Sequence, residues 1–184
     1  VSIFPHAAIL ATHPPGQAPT YEMIHPAITQ LNANAVLIPS DGGDSLLGHI
    51  VLTLGATTYQ TISQGNVAYL PPVAPAPLVI PPGTSAAMIT ILSRNFDESK
   101  ATFKLYHTVD AALKKQLLDA TDETYLTSLK DRTTGFAMVT MRTLIKHLYT
   151  NYGCVNAATL TDNGNKMKNP WDTTSPIELL FAQI

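Results

Sequence analysis

Apolar positions along the chain change their period several times, and each change marks a predicted element. Thr20 offers an N-cap and Glu22 a first-turn acid. Behind them Met23, Ile24, Ala27, Ile28 and Leu31 recur at helical spacing, which predicts a short helix kinked at Pro26. From Asn34 the pattern turns into unbroken apolar runs, Ala35-Val36-Leu37-Ile38 and His49-Ile50-Val51-Leu52-Thr53-Leu54, around the turn-rich Asp41-Gly42-Gly43-Asp44-Ser45. Two β-prone runs about a Gly/Asp cluster predict a β-hairpin over 34–54. Thr57 to Ser63 predicts one helical turn carrying Tyr59 and Ile62.

Residues 67–83 then hold six prolines, and their preset φ angles predict a stiff polyproline-like strap over the core. After Gly83 the spacing becomes helical. Thr84 or Ser85 is the cap, and Met88, Ile89, Leu92, Phe96, Phe103 and Tyr106 share one broad face. A second helix is predicted through Val109, Leu113, Leu117 and Leu118, a short third one through Tyr125, Leu126 and Leu129, and a break at Thr133-Thr134-Gly135. The strongest periodicity joins Met138, Met141, Leu144, Ile145, Leu148, Tyr149 and Tyr152, with Gly153 as its C′ glycine. Asn156 to Lys168 reads as another helix and Asn169-Pro170-Trp171-Asp172 as a turn. Ser175-Pro176-Ile177-Glu178 then forms a capping box before Leu179, Leu180, Phe181 and Ile184. With no Met at its start and an apolar face open at its end, the chain reads as a fragment of something longer.

Charge adds an asymmetry. No Lys or Arg precedes Arg94, and that stretch also holds twelve of the fourteen prolines. Free globular surfaces carry about a quarter to a third charged residues, so this half is expected to lie against neighbouring copies or to rest on hydroxyls and amides. Residues 1–19, with Pro5, Pro14, Pro15 and Pro19, read as an extended arm. A net charge of -2 argues against nucleic-acid binding by this part. One cysteine, Cys154, excludes an internal disulfide and suits a reduced, cytoplasmic compartment. No apolar run is long enough to cross a bilayer.

Chemical motifs are scarce. No phosphate-cradling glycine loop, dinucleotide fingerprint or nucleophile elbow occurs. The histidines His6, His13, His25, His49, His107 and His147 form no His-x-x-x-His pair, and a lone cysteine rules out zinc-knuckle spacing. No metal, cofactor or catalytic residue is assigned. Asp41 and Asp44 read as turn residues rather than calcium ligands, because the further acids of such a loop are missing. Cys154 reads as a structural thiol, and Lys114-Lys115 and Lys166/Lys168 as solvated faces. Trp171 reads as packing on its own helices.

From Gly83 onward a series of residues resembles the capsid part of Gag from copia-type LTR retrotransposons. The series is Tyr106 with Asp110-Ala111-Ala112-Leu113-Lys114, Leu117-Leu118, Tyr125-Leu126, Gly135-Phe136-Ala137, Leu144-Ile145-Lys146-His147-Leu148-Tyr149, Tyr152-Gly153 and Pro170-Trp171-Asp172 leading into Pro176-Ile177-Glu178. About half the chain carries it well, and the Tyr59 region more loosely. The chain departs from the family in holding Ile145 or Leu148 where a tryptophan is usual, and in its long arm and strap. The resemblance implies a mainly α, retroviral-capsid-like helical bundle with an N-terminal arm and hairpin. It implies an N-terminal domain over 1–153 with its helical core at 84–153, and the opening of a truncated C-terminal domain over 154–184. It also implies a non-enzymatic subunit that self-assembles into a virus-like particle, capturing RNA through a C-terminal segment not present here.

Two other classes compete. An enzyme would draw first on Asp41, Asp44 and His49. An adaptor would offer the Pro71–Pro82 strap to a protein partner, as polyproline ligands do. A jelly-roll coat lacks support, because the last hundred residues show no series of short alternating strands.

Overall fold

A computed structural model describes residues 16–154 together with 160, 161, 164, 165 and 168. Its helices are α1 (Tyr21–Val36), α2 (Val51–Leu54), α3 (Ala56–Ile62), α4 (Ala86–Ala120) and α5 (Met141–Tyr152). Single 3-10 turns occupy Ser45–Leu47, Glu123–Tyr125 and Thr127–Leu129. The described residues are mainly helical and contain no strand, only an isolated bridge between Asp131 and Gly135.

The core lies where α1, α4 and α5 meet. Each helix supplies one row at three- and four-residue steps: Ile24, Ile28, Leu31 and Ala35 from α1; Val109, Leu113 and Leu117 from α4; Met141, Leu144, Ile145 and Leu148 from α5. Leu126 joins them from the turn before α5. Each fully buried leucine contributes about 1.5–3 kcal/mol of transfer free energy, so these rows decide the arrangement. One polar contact crosses it, from Asn34 Nδ2 on α1 to Gln116 Oε1 on α4 at 3.1 Å.

The β-hairpin expected over 34–54 is absent, and helices take its place. α1 runs past Pro26 to Val36, and the second apolar run folds into α2. The two runs still meet, but through one backbone bond, from the His49 N–H to the Ala35 carbonyl at 2.9 Å, rather than a ladder. Gly48 makes that approach possible. Its φ is +49°, and a Cβ there would stand 2.5 Å from the carbonyl oxygens of Val36 and Ile38. Ala35, Ile38, Ile50 and Leu52 are all buried. The second run is buried or half-buried at every position from His49 to Leu54, so it has no polar face to give a sheet, and such runs suit helix and strand alike until packing decides.

The two helices expected after Gly83 are one, the 35-residue α4, about 52 Å long. It contains neither Gly nor Pro, and Ser85 Oγ caps it by accepting the Met88 N–H at 3.4 Å. Only its second half enters the core, with Val109 the first buried position. Of the face expected from Met88 to Tyr106, Tyr106 packs against the core; Met88, Ile89, Leu92, Phe96 and Phe103 do not belong to it. α5 also starts later than its periodicity suggests. Thr140 Oγ1 caps it by accepting the Thr143 N–H at 3.2 Å, which leaves Met138 outside at 82% exposure. Gly153 is not a left-handed cap, since its φ is −84°. It is needed instead for closeness, a Cβ there lying 2.7 Å from the Tyr149 carbonyl oxygen.

Of the arm expected over 1–19, residues 1–15 lie outside the described residues, as do the Trp171 turn and the capping box at Ser175–Glu178; residues 16–19 have neither helix nor strand. Of the helix expected from Asn156, Leu160, Thr161, Gly164, Asn165 and Lys168 are helical.

Candidate functional site

Between Ser45 and Ser93 the chain carries no Lys, Arg, Asp or Glu at all. That stretch spans α2, α3, the strap and the tip of α4. The strap has neither helix nor strand, as its prolines require. Among the described residues, its hydrogen bonds to the core all lie where it starts. Tyr69 is buried, its hydroxyl 2.8 Å from Ser40 Oγ, and the Leu70 N–H donates to the Gly42 carbonyl at 2.7 Å. Gly42 has to be glycine for this, because a Cβ there would meet the Tyr69 ring and the Leu70 carbonyl oxygen at 2.8 Å. Past that clip Pro72 and Pro75 are half-buried and the rest of the strap is open to solvent. Leu70, Val73 and Val79 are 73%, 83% and 78% exposed, and Met88 and Ile91 on the adjoining turns of α4 are exposed as well. The strap thus stands off the core instead of covering it, contrary to the packed strap expected.

Three tyrosines hold the clip together. Tyr59 meets Tyr69 edge-on at 5.3 Å, and Tyr69 stacks on Tyr106 of α4 at 6.2 Å. Tyr59 is fully buried; its hydroxyl accepts the Asp44 N–H at 2.7 Å and donates to the Asp44 carbonyl at 3.2 Å. Beneath the strap lies a cavity of about 260 Å³, lined among others by Ser40, Asp41, His49, Tyr69, Thr102 and Tyr106. His49 is buried in its wall, with Nδ1 2.9 Å from the Ile38 carbonyl oxygen. Burial lowers its pKa against the opposing pull of that carbonyl and of Asp41, so the imidazole is held neutral. Burial also raises the Tyr69 and Tyr106 phenols, which remain protonated.

Of the three residues an enzyme would use, Asp41 and His49 share this cavity while Asp44 is not in its lining. The Asp44 carboxylate is occupied structurally, accepting the Leu46 N–H at 3.0 Å and the Gln64 N–H at 2.9 Å. That is the work of a turn residue. Cys154 is exposed. Lys114 and Lys115 pair with Asp110 at 3.6 Å and Asp119 at 2.5 Å on their own helix. No group of three His, Cys, Asp or Glu side chains suited to a metal occurs among the described residues, and none of their helices is long and apolar enough to cross a membrane.

Ser40, Tyr69 and Tyr106 were not singled out by sequence as parts of one site. The available signal was a lone aromatic, Tyr69, at the head of a proline-rich segment, where a buried anchor is the physical reason to spend a tyrosine. A second concavity, about 960 Å³, runs along α4 past Lys100, Phe103, Lys104, His107, Ala111 and Lys115. Compared with protein-family models, curated proteins and solved structures, the chain matches none.

Proposed function

We propose that this chain is a structural subunit that associates with copies of itself into a closed shell. In this reading it plays the part of the capsid region of a copia-type Gag in a cytoplasmic particle, with RNA held by a segment beyond it. The observation that carries the reading is the ion-free surface made by the strap and the tip of α4 before Arg94, with Val73, Val79, Met88 and Ile91 turned to solvent. Charge is depleted at the centres of protein interfaces, and exposed apolar surface of this extent marks an interaction site. Many weak symmetric contacts close a shell that no single contact would hold. The test is negative-stain microscopy with sedimentation at rising protein and sulfate concentration. Uniform particles are expected, favoured by sulfate because burial is apolar. A monomer that persists through the whole series ends this reading.

One observation favours the adaptor as a second reading. The exposed strap contains Pro72-Val73-Ala74-Pro75, a spacing that polyproline-binding grooves accept. A monomeric chain whose strap is bound by such a domain, and released by Pro72→Ala, would replace the shell reading with this one.

A further inference from the structure

The cavity under the strap has a definite chemistry. Its lining contains no Lys or Arg. Asp41 stands at it exposed, with no hydrogen bond or ion pair among the described residues, and its charge is felt at both His49 and Tyr69. The imidazole is neutral, and Tyr106 adds a second aromatic ring, itself facing the charge of Asp110. Aromatic faces beside an unpaired carboxylate attract a cation, and a planar, weakly hydrated guanidinium suits them better than an ammonium.

The first half of the chain contains no such cation, but the second half displays one. Asp131 and Gly135 exchange backbone bonds, each 3.0 Å long, and Gly135 closes the turn at a φ of +60°. Asp131 Oδ1 accepts the backbone N–H groups of Thr133 and Thr134 at 2.8 Å and the Thr134 hydroxyl at 3.1 Å. The turn is therefore braced from within, and it carries Arg132, exposed and without a hydrogen bond or ion pair among the described residues. The other two arginines are engaged, Arg94 by Glu98 and Arg142 over Gly55.

We infer that Arg132 of one copy enters the cavity of another, its guanidinium against Tyr106 and its charge beside Asp41. This rests on the self-association proposed above and names one of its contacts. Turn and cavity are different patches, so the contact can repeat head-to-tail, the kind that closes into rings when its rotation allows.

Charge reversal tests it. Asp41 and Arg132 are exposed, and circular dichroism checks that the variants Arg132→Glu and Asp41→Arg fold. Each alone is expected to weaken self-association at least tenfold in sedimentation at low salt. An equimolar mixture is expected to recover it, because the reversed turn then meets the reversed cavity. An Arg132→Glu variant that assembles like the parent overturns the contact and leaves the shell reading standing; so does a mixture no better than its components. A second arm works without assembly. In the unassembled Arg132→Glu variant, N-acetylarginine amide is expected to shift the His49 ring resonances at millimolar concentration, and Asp41→Asn to abolish the shift. If that binding is seen while the parent stays monomeric, the cavity chemistry stands and the shell reading falls. If no shift appears with Asp41 intact, the inference is wrong.

Discussion

Replacing Tyr59 by Phe isolates what one hydroxyl contributes to the strap's foundation. The ring stays, so the apolar burial and the edge contact with Tyr69 are kept. What goes is a pair of bonds to the same residue: the Asp44 N–H into the hydroxyl at 2.7 Å and the hydroxyl into the Asp44 carbonyl at 3.2 Å. Each is worth about 1 kcal/mol net, and an orphaned buried partner adds about 1–3 kcal/mol. Asp44 is only half-buried, so water reaches part of what is orphaned and the lower end applies. A loss of about 2 kcal/mol follows, or roughly 4–8 °C in Tm for a domain of this size. Urea unfolding followed by far-ultraviolet circular dichroism measures it, with the slope m expected to be unchanged. A loss below about 0.5 kcal/mol would mean that the Asp41–Ser45 turn holds its shape without Tyr59, and the account of the clip would be wrong.

Gly48→Ala is expected to be among the most damaging single changes, since it combines a φ of +49° with a Cβ 2.5 Å from two carbonyl oxygens; soluble yield and Tm report it. Leu113→Ala, at a fully buried position on α4, should cost about 2–5 kcal/mol in urea unfolding. Because the folded His49 pKa lies below its unfolded value of 6.5, the unfolded chain binds the extra proton first. Stability at this residue is therefore full above pH 6.5 and falls as pH drops through the window beneath it. His49→Asn, which keeps a donor for the Ile38 carbonyl but does not titrate, should flatten that part of a Tm–pH curve.

The helical rows were legible because their spacing, caps and burial agree. Ile24 to Leu31 and Met141 to Leu148 fall on the core face for the reason their period suggests, and Ser85 caps as read. The segment from Ala35 to Leu54 was not legible. Its β-branched runs and Gly/Asp turn fit a hairpin locally, and only packing with α4 and α5, far off in sequence, draws Ala35-Val36 into α1 and Val51–Leu54 into α2. The unbroken length of α4 was hidden for another reason. Its apolar stripe changes meaning halfway, from a face outside the core up to Phe103 to a core row from Val109, and periodicity alone cannot say what a stripe touches. The cavity was out of reach because Ser40, His49, Tyr69 and Tyr106 come from four separate segments.

Among the described residues, the core holds α4 over its second half, through α1 and α5, and none of its first five turns. Such a rod is a cantilever. A neighbour that leans on Met88 applies its push through a stiff arm, and the pivot falls near Val109, beside the tyrosine stack that fastens the strap. In the proposed assembly, touch at the tip is in this way converted into torque at the root.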